Sequence, residues 1–139
     1  MIDIEADVLT AVATVLRTAF PGIRVDGSYI ETTAKIPAVS VVEADNRIRK
    51  SMRTTTIENA DEVMYEVNVF SGKPSGRRVE ARSIAAKVDE VMSGLGFTRT
   101  MLEQVPNYSD TRLFRLVMRY EGIVGPAAEA GKYLIYHND

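Results

Sequence analysis

Val63-Met64-Tyr65-Glu66-Val67-Asn68-Val69-Phe70 is the stretch that decides the fold. Successive side chains of a strand point to opposite faces. Val63, Tyr65, Val67 and Val69 therefore share one face, which is apolar. Met64, Glu66, Asn68 and Phe70 share the other, which is mixed. One covered face and one partly exposed face is the pattern of an antiparallel sheet. Ser71-Gly72-Lys73-Pro74-Ser75-Gly76 then closes the run with strong turn chemistry.

Upstream, Ala38-Val39-Ser40-Val41-Val42-Glu43 reads as a second, shorter strand, set off by Ile36-Pro37. Ala44 to Glu62 joins the two strands, and its residues 46–61 are expected to form an extended polar arm. Apart from alanine, its apolar side chains are Ile48, Met52 and Ile57. Long connections with no core of their own are uncommon in compact domains, and where they occur they are usually functional or disordered.

Further out, two helices are expected. Ile4, Val8, Val12, Val15, Leu16 and Ala19 recur at three- and four-residue spacing, so Ile4 to Ala19 reads as an amphipathic helix. Asp3 suits its N-cap, and Pro21-Gly22 ends it. A second helix runs from about Ser75 to Ser93, with Val79, Ile84, Val88, Val91 and Met92 as its stripe. Ile23 to Thr33 reads as a strand or hairpin arm broken at Asp26-Gly27. Phe97–Val105 and Thr111–Ile123 read as a hairpin turning at Pro106 to Asp110. A C-terminal tail over 125–139 holds one more short strand, Tyr133-Leu134-Ile135-Tyr136.

This order needs no long parallel crossovers. It predicts one domain over residues 1–139 with an α+β fold. Its sheet is mainly antiparallel, its two helices pack on one face, and a long polar arm separates the central strands.

Composition narrows the function. At 139 residues, with 45% hydrophobic and 26% charged side chains, the chain suits a single globular core. A net charge of −2 argues against a dedicated nucleic-acid binder but allows a local basic surface. The chain has no cysteine, so disulfides and thiolate chemistry are absent. The acidic start, Met1-Ile2-Asp3-Ile4-Glu5, is unlike a signal peptide, and no apolar run approaches membrane-spanning length.

Catalytic signatures are missing. The single histidine, His137, sits near the C-terminus, where a frayed surface role is the ordinary one. No serine lies in a nucleophile elbow. Gly72-Lys73-Pro74-Ser75-Gly76-Arg77-Arg78 lacks P-loop spacing, and Pro74 removes a backbone donor. Carboxylates are scattered. The chain is expected not to be an enzyme and to need no cofactor or metal.

Two basic features stand out. One is the arm cluster Arg47, Arg49, Lys50 and Arg53. The other is Arg115 and Arg119, on the Val117 face of the last long strand, with Arg99 on its hairpin partner. Glu103 and Glu121 are their expected partners across the hairpin. Each set is either a solvated face or a contact for DNA or an acidic partner. Met64 and Phe70, on the mixed face of the central strand, are candidate interface residues alongside the arm cluster, with ordinary core packing the equal alternative.

Several phrases in register carry a resemblance. They are Ser40-Val41-Val42-Glu43-Ala44-Asp45-Asn46, Tyr65-Glu66-Val67-Asn68-Val69-Phe70-Ser71 and Gly94-Leu95-Gly96-Phe97-Thr98-Arg99-Thr100, followed by Val105-Pro106-Asn107. Over roughly Ala38 to Tyr120 the chain resembles the tail terminator, or tail completion, proteins of the head–tail joining region of tailed phages and prophages. The resemblance implies a structural virion protein, assembled in the bacterial cytoplasm, that forms a homo-oligomeric ring, typically a hexamer. Such a ring ends tail tube polymerisation and meets the head connector. Its expected partners are itself, the tail tube protein and the connector, with passive passage of DNA and no membrane. Arg99, Arg115 and Arg119 are the residues expected to face the channel or DNA. The alternative is a small nucleic-acid-binding module that uses the basic arm.

Overall fold

The computed structural model describes residues 3–30, 36–48, 61–106, 112–126 and 133–136. In chain order these form α1 (Glu5–Ala19), β1 (Arg24–Asp26), β2 (Ala38–Ile48), β3 (Asp61–Ser71), α2 (Arg77–Leu95), β4 (Thr98–Gln104), β5 (Phe114–Pro126) and β6 (Tyr133–Tyr136). The sheet order is β1-β2-β3-β5-β4, with β6 also paired to β5. All pairs are antiparallel except β1 with β2. The fold is α+β, as the order of sequence patterns predicts.

Both helices lie on the face carrying Val63, Tyr65, Val67 and Val69. The periodicity of α1 delivers Ile4, Val8, Val12 and Leu16 to that core, and α2 delivers Ala81, Ile84, Val88 and Met92. On β5, Leu116, Met118 and Tyr120 meet them. Fully burying an aliphatic side chain of this size contributes about 1.5–3 kcal/mol, so this one-sided cluster is the main source of stability.

Helix ends follow local chemistry. The N-cap is Ile4, one residue past the expected Asp3, and Asp3 Oδ1 instead accepts from the Glu5 N–H at 3.1 Å, satisfying one of the free donors of the first turn. Gly96 ends α2 at φ +108°, and its N–H reaches the Met92 and Ser93 carbonyls. That backbone conformation favours glycine.

Two positions of the predicted stripes are exposed instead. Val15 is 36% exposed, with Ala13 taking the buried position, and Val79 is 70% exposed. Val79 belongs to the first turn of α2, where Ala81 takes the buried position. The expected hairpin arm at 23–33 is also corrected. β1 pairs parallel with β2, Arg24 opposite Ala38. Asp26-Gly27 therefore starts a crossover, not a tight reversal.

The predicted arm is shorter than 46–61. β2 runs on to Ile48 and β3 begins at Asp61, so the ladder holds to the Ile48–Asp61 pair. One bulge, between Glu43 and Asp45, interrupts it. The tail is likewise shorter than 125–139, because Gly125 and Pro126 pair with Leu134 and Tyr133.

Candidate functional site

β3 and β5 run side by side through the middle of the sheet, so their helix-free faces form one surface. Pairing sets Glu66 opposite Arg119, Asn68 opposite Val117 and Phe70 opposite Arg115. The charges answer one another across this ladder. Arg115 donates to Asn68 Oδ1 from Nε at 3.0 Å and from Nη2 at 2.7 Å. Its guanidinium also lies 5.6 Å from the centre of the Phe70 ring, a cation–π arrangement. An Arg119 nitrogen lies 3.8 Å from Glu66 Oε1. Tyr29, from the crossover after β1, donates its hydroxyl to Glu66 Oε2 at 2.8 Å. That bond, first, and then burial raise the Tyr29 pKa.

Several sequence expectations change here. Phe70 is buried, only 6% exposed, so it belongs to the packed structure and not to an open interface. A Cβ on Gly72 would meet Leu113 at 2.9 Å and Ile36 at 3.4 Å, which shows how closely side chains cover this end of the face. Arg115 and Arg119 pair with β3, not with Glu103 or Glu121. Arg99 does not join them. It lies on the helix-bearing side, 3.5 Å from Asp89 of α2. The three arginines assigned to a channel therefore occupy two opposite faces.

Ser40 lies opposite Asn68 on this helix-free face. Among the described residues, its hydroxyl and the Asn68 amide nitrogen are buried without a hydrogen-bond partner. The alternation of β3 gives no sign of this, because a buried asparagine and an exposed one read alike in sequence.

At the arm end of the same face, Met64 is half-buried in a cleft of about 170 Å³ with Asp45, Arg47, Glu62 and Glu121. Arg47 is part of β2 and not of a free arm. Its guanidinium lies 3.0 Å from Asp45 and 3.9 Å from Glu62. Exposed pairs of this kind contribute about 0.2–1 kcal/mol. Arg49, Lys50 and Arg53 lie outside the described residues. No group of three or more acidic, histidine or cysteine side chains placed to hold a metal occurs among the described residues. No described helix is long and apolar enough to cross a membrane.

The helix-bearing side has its own polar margins. At the β2 margin, Glu43 is half-buried, and the Asn46 side chain donates to it at 3.4 Å. Burial raises the Glu43 pKa most, followed by the negative charges of Glu5 and Asp3. The sign for stability follows. A carboxylate whose folded pKa lies above its ordinary value near 4.5 favours the folded state while protonated. That contribution is lost as pH rises through the folded pKa. Glu43→Gln is therefore expected to raise stability at pH 7 by about 0.5 kcal/mol, a small figure because the carboxylate is part-screened by solvent. The gain should vanish below pH 4, as followed by urea unfolding across the pH range. A variant less stable than the parent at pH 7 would contradict this account.

At the other margin, Tyr120 donates its hydroxyl to Asp89 Oδ1 at 2.9 Å. Asp89 thus holds both Tyr120 and Arg99, tying β5, α2 and β4 together.

No protein-family model matches this chain, and no curated protein matches it. The geometry itself defines a class: an α+β sheet-and-helix module in which Arg47, Arg115 and Arg119 are tied to neighbouring strand residues, with segment 49–60 joining β2 to β3 at one end of the sheet.

Proposed function

We propose that this chain is a structural subunit of a phage or prophage virion, forming a ring at the head–tail junction. In this reading the ring ends tail tube growth and offers a surface to the head connector. Its partners are further copies of itself, the tail tube protein and the connector, and DNA passes through without being read.

One observation supports this reading most. β2 and β3 stay paired to Ile48 and Asp61, so segment 49–60 leaves and rejoins the sheet at one paired neck. The neck makes the segment dispensable to the ladder. Its charged composition suits contact with a neighbour more than a core of its own. The resemblance over Ala38 to Tyr120 gives the same direction. The nucleic-acid reading loses support from Arg47, Arg115 and Arg119, whose charges are already engaged within the fold.

Native mass spectrometry over a range of concentrations tests the proposal. Closed oligomers, centred on a hexamer, are the expected species. They should bind tail tube protein from the same phage or prophage. A monomer at all concentrations, indifferent to the tube protein, would overturn the proposal.

A further inference from the structure

We propose that the two margins of the sheet are complementary halves of a head-to-tail contact between copies of this chain. In that contact β4, flanked by Arg82 and Arg99, lies against β2 of the next copy, flanked by Asp3, Glu5 and Glu43. The inference rests on the ring-forming reading above and names the surfaces that close the ring.

The first support is backbone pairing. β1 covers β2 only over Ala38–Ser40. Beyond Ser40, no described strand pairs with the outer side of β2. At the far margin, β4 pairs with β5, and no described strand lies on its other side. Unpaired strand edges are templates for strand addition. Each edge also carries a bulge beside its charge, between Glu43 and Asp45 on β2 and between Arg99 and Met101 on β4. Bulges and charges discourage indiscriminate pairing, so a contact here is selective.

Charge supplies the second support, independently. At the β2 margin Glu43 lies on the helix-bearing side of β2, and Asp3 and Glu5 stand at the start of α1, which packs on β1 and β2, so the three carboxylates belong to one margin. At the β4 margin Arg82 and Arg99 line a groove of about 250 Å³, with Ala86 and Leu102 on its apolar wall. Asp89 is the one carboxylate in that lining, and it serves Arg99. Arg82 makes no ion pair among the described residues. The margins therefore carry opposite signs on the same side of the sheet.

Symmetry follows from the signs. Two β2 margins, or two β4 margins, would set like charges together. Only unlike margins match, which selects a heterologous contact over a two-fold dimer. Repeated around an axis, such a contact closes a ring.

A charge-swap experiment tests this. Asp3→Lys/Glu5→Lys makes both margins basic, and Arg82→Glu/Arg99→Glu makes both acidic. Each variant alone is expected to associate at least ten-fold more weakly than the parent, by native mass spectrometry and sedimentation. Mixed one to one, they should reassemble into alternating, even-numbered oligomers. Far-UV circular dichroism checks that each is folded. Arg82→Glu alone leaves the Asp89–Arg99 contact in place, and it should weaken association if the double variant does not fold. Parent-like oligomers from the folded variants, or no recovery on mixing, would overturn the edge contact while leaving the ring reading intact. A parent chain that never associates would remove the ring reading itself.

Discussion

Tyr65→Ala is expected to lower the free energy of unfolding by about 3–5 kcal/mol, the range for truncating a large aromatic side chain in a packed core. Tyr65 is fully buried at the centre of β3, and the Phe97 ring meets its ring edge-on at 5.4 Å between centroids. Removing it opens a void in the helix-covered core beside Phe97. A single domain is stable by only about 5–15 kcal/mol, so the variant should be largely unfolded or unstable at 37 °C. Tyr65→Phe separates the ring from its hydroxyl. That hydroxyl is buried beside Glu43 without a hydrogen bond of ordinary geometry, and burial raises its pKa, with the Glu43 charge adding to this. Its loss should change stability by less than about 0.5 kcal/mol, or raise it slightly. Tyr120→Phe breaks a real bond to Asp89 and should cost about 1.5–3 kcal/mol, the range for a hydrogen bond to a charged group. Urea unfolding of the three variants checks the series. Equal losses for the two Phe variants would show that Tyr65 has a partner this account misses.

The second large effect concerns assembly. Replacing residues 49–60 with Asn-Gly should leave a folded chain, because the Ile48–Asp61 pair can be closed by a two-residue turn. Stability is expected to stay within about 1 kcal/mol of the parent, since no packed contact of the described core is removed. Ring formation should fall at least ten-fold. Intact rings from this variant would remove the arm from the assembly mechanism and leave the strand margins to carry it. Loss of folding would show that the segment belongs to the core.

The core of this fold was legible because its periodicities are strict. Val63, Tyr65, Val67 and Val69 alternate without exception, and Val8, Val12 and Leu16 keep helical spacing. These residues are buried together. The second face of the sheet was not legible. Phe70 and Asn68 read as a mixed, open surface, yet both are buried, because Arg115 lies over them and Ile36 and Leu113 crowd that end. Alternation reports which residues share a face, but not whether another segment crosses over it. The pairing of the short β1 strand is not legible for a similar reason. Three residues carry too little pattern to tell a parallel partner from a hairpin arm.

Charge was the least legible property of the candidate site. Arg99 and Arg119 look alike in sequence, both on the β4–β5 hairpin. A bulge between Arg99 and Met101 and the register of β5 place them on opposite sides of the sheet. Arg115 finds an amide and an aromatic ring, a pairing that opposite-charge matching does not reveal. The complementary signs of the two sheet margins depend on α1 and α2 bringing Asp3, Glu5 and Arg82 alongside strands distant in sequence.

The paired neck between β2 and β3 also separates two kinds of selection on this chain. Closing a loop costs entropy that grows only with the logarithm of its length. Doubling segment 49–60 would therefore add about 0.6 kcal/mol to the cost of folding. That is small beside the loss from one cavity in the helix-covered core. The length and composition of this segment can therefore drift with little effect on stability. If the segment is the contact proposed above, a lineage could change its partner while the sheet beneath it stays the same.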